Sequence, residues 1–229
     1  MKTVALSFIT LLYFSIASLA QNSCSKFYPF SEGVSTQLSM YDKKGKLTGV
    51  VEHTVGTITA IDDGDMAVMY QKLIDDKGNL ITTSDYNILC KEGLVSIDFN
   101  SLSRPEMMQA FQNAETEVTG TNIDLPNDLS VGQELPDGGI NIAINMSGIN
   151  MNMNIDIINR KVEGKETITT PAGTFDCFII TSTTEMKMGT RMTRHSKQWI
   201  AEGVGVVKME DYKKNGKLDG MGILTAFSE

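Results

Sequence analysis

Histidine is almost absent from this 229-residue sequence, and much of the chemistry of hydrolases and metal sites is missing with it. Only His53 and His195 are present, in strand-like segments beside Glu52, Arg194 and Ser196, where a surface role is expected. No Gly-x-Ser-x-Gly elbow surrounds any serine, so a serine nucleophile with its base and orienting carboxylate has no support. HExxH and CxxC are absent, which removes the common zinc arrangements. No glycine-rich turn has P-loop or dinucleotide spacing. The 28 acidic residues make paired carboxylates uninformative, because any two acids can meet in space. The sequence therefore points to a protein that is not an enzyme and has no cofactor or metal.

Long apolar runs are missing as well, except at the start. Lys2 precedes an uncharged stretch from Val4 to Leu19, and Ser18-Leu19-Ala20 places small residues where a signal peptidase reads them. Cleavage is expected before Gln21. The run is shorter than the roughly 20 residues a bilayer span needs, and polar Gln21-Asn22-Ser23 follows at once. The same three residues precede Cys24, where lipidation wants small residues after an apolar one. The expected product is a periplasmic protein, with outer-membrane association or secretion as the other destinations, and not an integral membrane protein.

Residues 21–229 then form one β-rich domain of 209 residues, long enough to bury roughly 70% of its unfolded surface. The formal charge of −8 becomes −9 once Lys2 is removed. An acidic chain with no concentrated basic patch argues against nucleic acid and against simple adsorption on anionic lipid. Three cysteines remain, Cys24, Cys90 and Cys177, so one is left over from any disulfide. Cys24 and Cys90 have polar neighbours, whereas Cys177 lies in the apolar run Phe175 to Ile180. These contexts favour a Cys24–Cys90 bridge, worth about 4 kcal/mol in the chain-entropy picture, with Cys177 a buried thiol.

What the sequence does contain is period-two alternation broken by glycine turns, the pattern of an antiparallel sheet. Ile140, Ile142, Ile144 and Met146 alternate with polar or small residues. So do Ile149, Met151, Met153, Ile155 and Ile157, after a phase slip at Ser147-Gly148 that implies a hairpin. One face is apolar and the other rich in asparagine. A turn recurs three times: Tyr41-Asp42-Lys43-Lys44-Gly45-Lys46-Leu47, Ile74-Asp75-Asp76-Lys77-Gly78-Asn79-Leu80 and Tyr212-Lys213-Lys214-Asn215-Gly216-Lys217-Leu218. Each glycine suits the left-handed conformation of a short hairpin loop. Asp62-Asp63-Gly64-Asp65 lacks the spaced ligands and final glutamate of a calcium loop and reads as another turn. Pro105 at a helix-start position, with Met107, Met108 and Phe111 at helical spacing, predicts one short helix over Arg104 to Asn113. The expected fold is mainly β: a curved antiparallel sheet or incomplete barrel of about ten strands with that single helix.

The 14 methionines suggest an adaptable apolar surface. Met107, Met108 and Phe111 would lie over a face bearing Ile144, Met146, Met151 and Met153, forming a candidate site for an apolar ligand or lipid. The plainer reading makes these residues ordinary core. A second reading is an interaction module with a solid core and a protein partner in an envelope assembly.

Several segments together carry a family resemblance. They include Phe27-Tyr28-Pro29-Phe30 after Cys24, Val131-Gly132-Gln133, Leu135-Pro136-Asp137-Gly138 and Asn159 to Glu166. The most telling are Thr170-Pro171-Ala172-Gly173-Thr174-Phe175-Asp176-Cys177 and Trp199-Ile200 followed by Gly203-Val204-Gly205-Val206-Val207-Lys208. In these the chain resembles the TapB-like family of exported proteins of Bacteroidota. The resemblance implies an open antiparallel barrel similar in outline to the LolA/LolB-like lipoprotein carriers, which hold acyl chains under a helical lid. It supplies no catalytic residues. Mass spectrometry of the protein recovered from an envelope extract should find a chain beginning at Gln21; a retained Met1 would show that the leader is not removed.

Overall fold

The computed structural model describes residues 24–102, 114–146 and 149–229. Where the sequence alternates, it forms strands, and where it carries the repeated glycine turn, it reverses. The first run is a meander of β1 (Ser35–Asp42), β2 (Leu47–Ile61), β3 (Gly64–Asp75), β4 (Leu80–Lys91) and β5 (Leu94–Ile97), followed by a 3-10 turn over Phe99–Leu102. Three short strands come next, β6 (Glu115–Thr121), β7 (Ile123–Pro126) and β8 (Glu134–Leu135). A second meander ends the chain: β9 (Gly138–Met146), β10 (Ile149–Thr170), β11 (Gly173–Met188), β12 (Thr190–Ala201), β13 (Gly205–Lys213) and β14 (Leu218–Ser228).

All fourteen strands of the described residues belong to one antiparallel sheet, more than the ten or so that the alternation suggests. The extra strands lie between Glu115 and Leu135, where Pro126 and Gly132 make the sequence read as loop. The predicted helix, with Met107, Met108 and Phe111, lies outside the described residues. The repeated turn takes one form in all three copies. Gly45, Gly78 and Gly216 have φ of 77°, 87° and 75°. The flanking backbones close through Asp42 N to Lys46 O, Asp75 N to Asn79 O and Lys213 N to Lys217 O, each at 2.9 Å.

The sheet curls into a nearly closed barrel because its two ends are consecutive in the chain. The order runs β6-β9-β10-β11-β12-β13-β14-β1-β2-β3-β4-β5-β7. β6 pairs with β9, and β7, which follows directly after Asn122, pairs with β5. One segment thus changes partner at Asn122 and joins both edges. The close approach there needs glycine: a Cβ on Gly120 would lie 2.5 Å from both Gly139 O and the Phe99 ring. A Cβ on Gly138 would lie 2.9 Å from Asn122 O.

Beside this seam the strand ladder is incomplete, and a buried cation bridges the gap. Arg160 on β10 donates from Nη1 to Asp124 O on β7 at 2.8 Å and to Pro136 O, just past β8, at 2.5 Å. Burial lowers its pKa from the usual arginine value, opposed by Tyr28, Asp124 and Asp137 nearby.

The interior is filled from one end by the segment before β1. Cys24 is disulfide-bonded to Cys90 on β4, and Phe27 is fully buried with its ring edge-on to Phe178 at 5.8 Å. Lys26 N donates to Asn127 Oδ1 at 2.8 Å, and Gly203 N donates to Lys26 O at 2.9 Å. Phe27 therefore joins Val55, Met69 and Ile88 of one wall to Val162, Phe178 and Ile200 of the other in a single core. Replacing Arg160 with methionine leaves two carbonyls at the seam without their donor. It should cost about 3 kcal/mol in urea unfolding, with lysine recovering only part because it lacks the planar fork. A loss below about 1 kcal/mol would show that the seam holds without the guanidinium.

Candidate functional site

Side chains of β1 to β4 on the lumenal face lie in rows set by register. Val55 pairs with Met69 and Met69 with Tyr86, making an apolar row. Two residues along each strand, Thr36, His53, Gln71 and Ser84 form a polar row, each opposite the next. Polar side chains on a barrel's inner face need partners, and His53, Gln71 and Ser84 find them in one another. Ser84 Oγ donates to Gln71 Oε1 at 3.0 Å, which orients the amide so that Nε2 donates to His53 Nε2 at 3.1 Å. The imidazole proton then resides on Nδ1.

The two rows border a cavity of about 130 Å³ that the core does not fill. Val34, Leu38, Val55, Met69 and Ile97 give it apolar walls, with Tyr28 and Pro29 of the N-terminal segment among its lining. The polar groups reaching it are Thr36, His53, Tyr28 and Tyr86. His53 meets Tyr86 edge-on, ring centroids 6.3 Å apart. Burial holds His53 down at about 4 and pushes the Tyr28 phenol up to about 12. Tyr86 is raised further, by burial first and Tyr28 second. All three groups are neutral at pH 7. A mostly apolar pocket with a few convergent polar groups is the form taken by small-molecule sites.

This differs from the sequence expectation for His53, which was a surface role suggested by Glu52. Strand parity explains the difference: Glu52 faces out toward Gln37, while His53 shares the inward face with Val55. His195 is exposed, its Nδ1 3.1 Å from Thr183 Oγ1, and lines a different groove with Lys197 and Tyr212. The candidate ligand face divides. Ile144 and Met153 are fully packed in a core with Ile140, Ile142 and Ile155, Met151 packs partly against it, and Met146 is exposed. Met107, Met108 and Phe111, proposed to cover that face, lie outside the described residues.

Cys177 is free and buried. Burial, then Asp176 and Glu166, push its thiol up to about 11, opposite to the shift that activates a nucleophile. Among the described residues no three His, Cys, Asp or Glu side chains are grouped to hold a metal, and no helix is long and apolar enough to cross a membrane.

The architecture defines a nearly closed antiparallel β-barrel with a residual lumenal cavity. The chain belongs to the DUF3108-like family, whose profile matches residues 31–224. That is a different name from the TapB-like one the sequence resemblance gives. Two crystal structures share the fold. One is a Bacteroides fragilis protein described as exported and YmcC-like in fold, with a TM-score of 0.73, 21% identity, and coverage of 90% of this chain and all of the other. The second is a Parabacteroides distasonis protein described as a lipoprotein, with a TM-score of 0.72, 23% identity, and coverage of 89% and 99%. At these identities the likeness establishes fold and no activity. No curated protein matches the chain.

The low His53 value has a signed consequence for stability. Below about pH 6.5 the unfolded chain binds a proton that the folded chain refuses until about pH 4. Stability should therefore fall with pH across that window, by up to roughly 3 kcal/mol from this residue. His53→Gln should flatten the decline relative to the native chain when urea midpoints are compared at pH 7 and 4.5. Equal declines would mean that His53 is not held neutral.

Proposed function

We propose that this chain is an exported, non-enzymatic envelope protein that binds a small, mainly apolar group in its lumenal cavity. The observation that carries the reading is the cavity bordered by Val55, Met69, His53 and Tyr86, a concave apolar space with a few convergent polar groups. Its size limits the ligand. At about 130 Å³ it is comparable to an engineered cavity of about 150 Å³ that takes up benzene, and well below the roughly 300 Å³ at which drug-sized sites begin. One ring or a short acyl stretch fits; a whole diacyl lipid does not. The neutral states of His53, Tyr28 and Tyr86 favour an uncharged ligand, such as a phenol or an alcohol. Export is supported by the leader and by the descriptions of both structural relatives. The resemblance to acyl-chain carriers points the same way.

The test is thermal unfolding with phenol, and with toluene as the wholly apolar probe. At ten times its Kd a ligand adds about 1.4 kcal/mol, a rise of roughly 3–6 °C for a domain of this size. Val206→Phe, which fills the cavity, should remove the rise. No shift with either probe, together with an empty denaturing extract of the native protein by mass spectrometry, refutes the reading.

A further inference from the structure

The three lysine-bearing turns are dispersed in sequence, but the topology gathers them. In an antiparallel meander alternate turns fall at the same end. The β1–β2, β3–β4 and β13–β14 turns therefore share one end with the tips of the β9–β10 and β11–β12 hairpins. The ion pair of Lys46 with Asp76, at 3.6 Å, joins two of these turns directly. Lys43, Lys44, Lys46, Lys77, Lys213, Lys214 and Lys217 all lie in them and are exposed. With Lys187 and Arg191, that makes nine cations at this end. Against them the five tips carry Asp42, Asp75, Asp76 and Asp219, a net of +5 in a chain of −8 overall.

Two of those carboxylates face their own turns. Asp42 Oδ1 accepts from Lys44 N at 2.8 Å and Lys46 N at 2.9 Å, and Asp75 Oδ1 accepts from Lys77 N at 2.9 Å and Asn79 N at 2.7 Å. Asp219 pairs with Lys213 and with Arg194, and further down the wall Glu185 pairs with Arg191. On β6, Glu115 and Glu117 stand beside the outer face of β9. The opposite end has the reverse sign: its turns carry Asp62, Asp63, Asp65, Glu92 and Glu202 against Lys91.

The same basic end also bears most of the exposed large apolar side chains. Among the described residues six of eight such side chains lie there: Leu80 (59%), Ile81 (51%), Met146 (42%), Ile149 (63%), Met188 (47%) and Met192 (52%). Around Met192 the apolar face is continuous with the core, since Met192 pairs with Met186 and Met186 with buried Ile155. An acidic protein or a nucleic acid would use the cations, but flexible aliphatic groups standing among lysines match a lipid surface, where they enter the acyl boundary beneath anionic headgroups. We propose that this end of the barrel docks on a bilayer rich in anionic phospholipid. Neither the charge pattern nor the apolar tips involve the lumenal cavity.

The experiment is co-flotation of the full chain with vesicles of phosphatidylglycerol and phosphatidylethanolamine, and with phosphatidylcholine vesicles as the neutral case. The chain should partition at least tenfold more strongly into the anionic vesicles, and raising salt from 0.05 to 0.5 M should weaken that binding. Lys43→Glu with Lys44→Glu and Lys214→Glu should abolish the preference. Met188→Asp with Met192→Asp should lower partitioning at least tenfold, and because both positions are exposed these variants should keep the native unfolding midpoint. The cavity-filled Val206→Phe chain should still bind, which separates this outcome from failure of the cavity reading. Equal partitioning into both vesicle types overturns the proposal. So does insensitivity to both sets of substitutions, or a dimer in sedimentation velocity that the methionine substitutions dissolve.

Discussion

The barrel depends on how its seam is closed. A curved sheet with two free edges would leave two rows of backbone donors and acceptors unpaired. Here the chain runs down one edge as β6, passes Asn122, and continues along the other edge as β7, so a single covalent segment serves both. Where hydrogen-bonded pairing runs out beside it, Arg160 supplies donors from a side chain. A buried guanidinium is costly alone, and this one is tolerated because two carbonyls and nearby carboxylates surround it. The glycines around it are part of the same solution, since Gly120 and Gly138 let backbones approach where no Cβ would fit.

The parts of this arrangement that were legible in the sequence are local. Alternation from Ile140 to Ile157 specifies the β9–β10 pair, and the repeated glycine turn specifies three reversals before any tertiary contact is known. What was not legible is set at long range. β6, β7 and β8 are short and poor in alternation because their pairing is decided by partners far along the chain. Arg160 looks like any basic residue in Asn159-Arg160-Lys161 until Asp124 and Pro136 are brought to it. The site follows the same rule. His53 could have been placed inside by parity with Val55, but the charged neighbour Glu52 is the stronger local signal. The cavity itself is visible only once four strands are in register and the Tyr28–Pro29 segment is among its walls.

The lumen and the ends divide the physical roles. Inside, the titratable groups are buried: His53, Tyr28 and Tyr86 are neutral, and Arg160 keeps its charge among carbonyls and nearby carboxylates. At the ends the opposite holds: charges are exposed, unequally shared and brought together by topology alone. An acidic net charge therefore conceals a basic pole, because net charge sums over a surface that partners meet one face at a time.

Both described chain ends lie at the acidic pole. Ser35 pairs with Ser228 where β1 meets β14, and Cys24 is fastened to the wall at Cys90. Strands such as β3, twelve residues long, separate that pole from the lysine turns by roughly 40 Å measured along the strand. Any covalent tether attached at either terminus thus makes the barrel a rigid spacer, with its cationic end pointing away from the point of attachment.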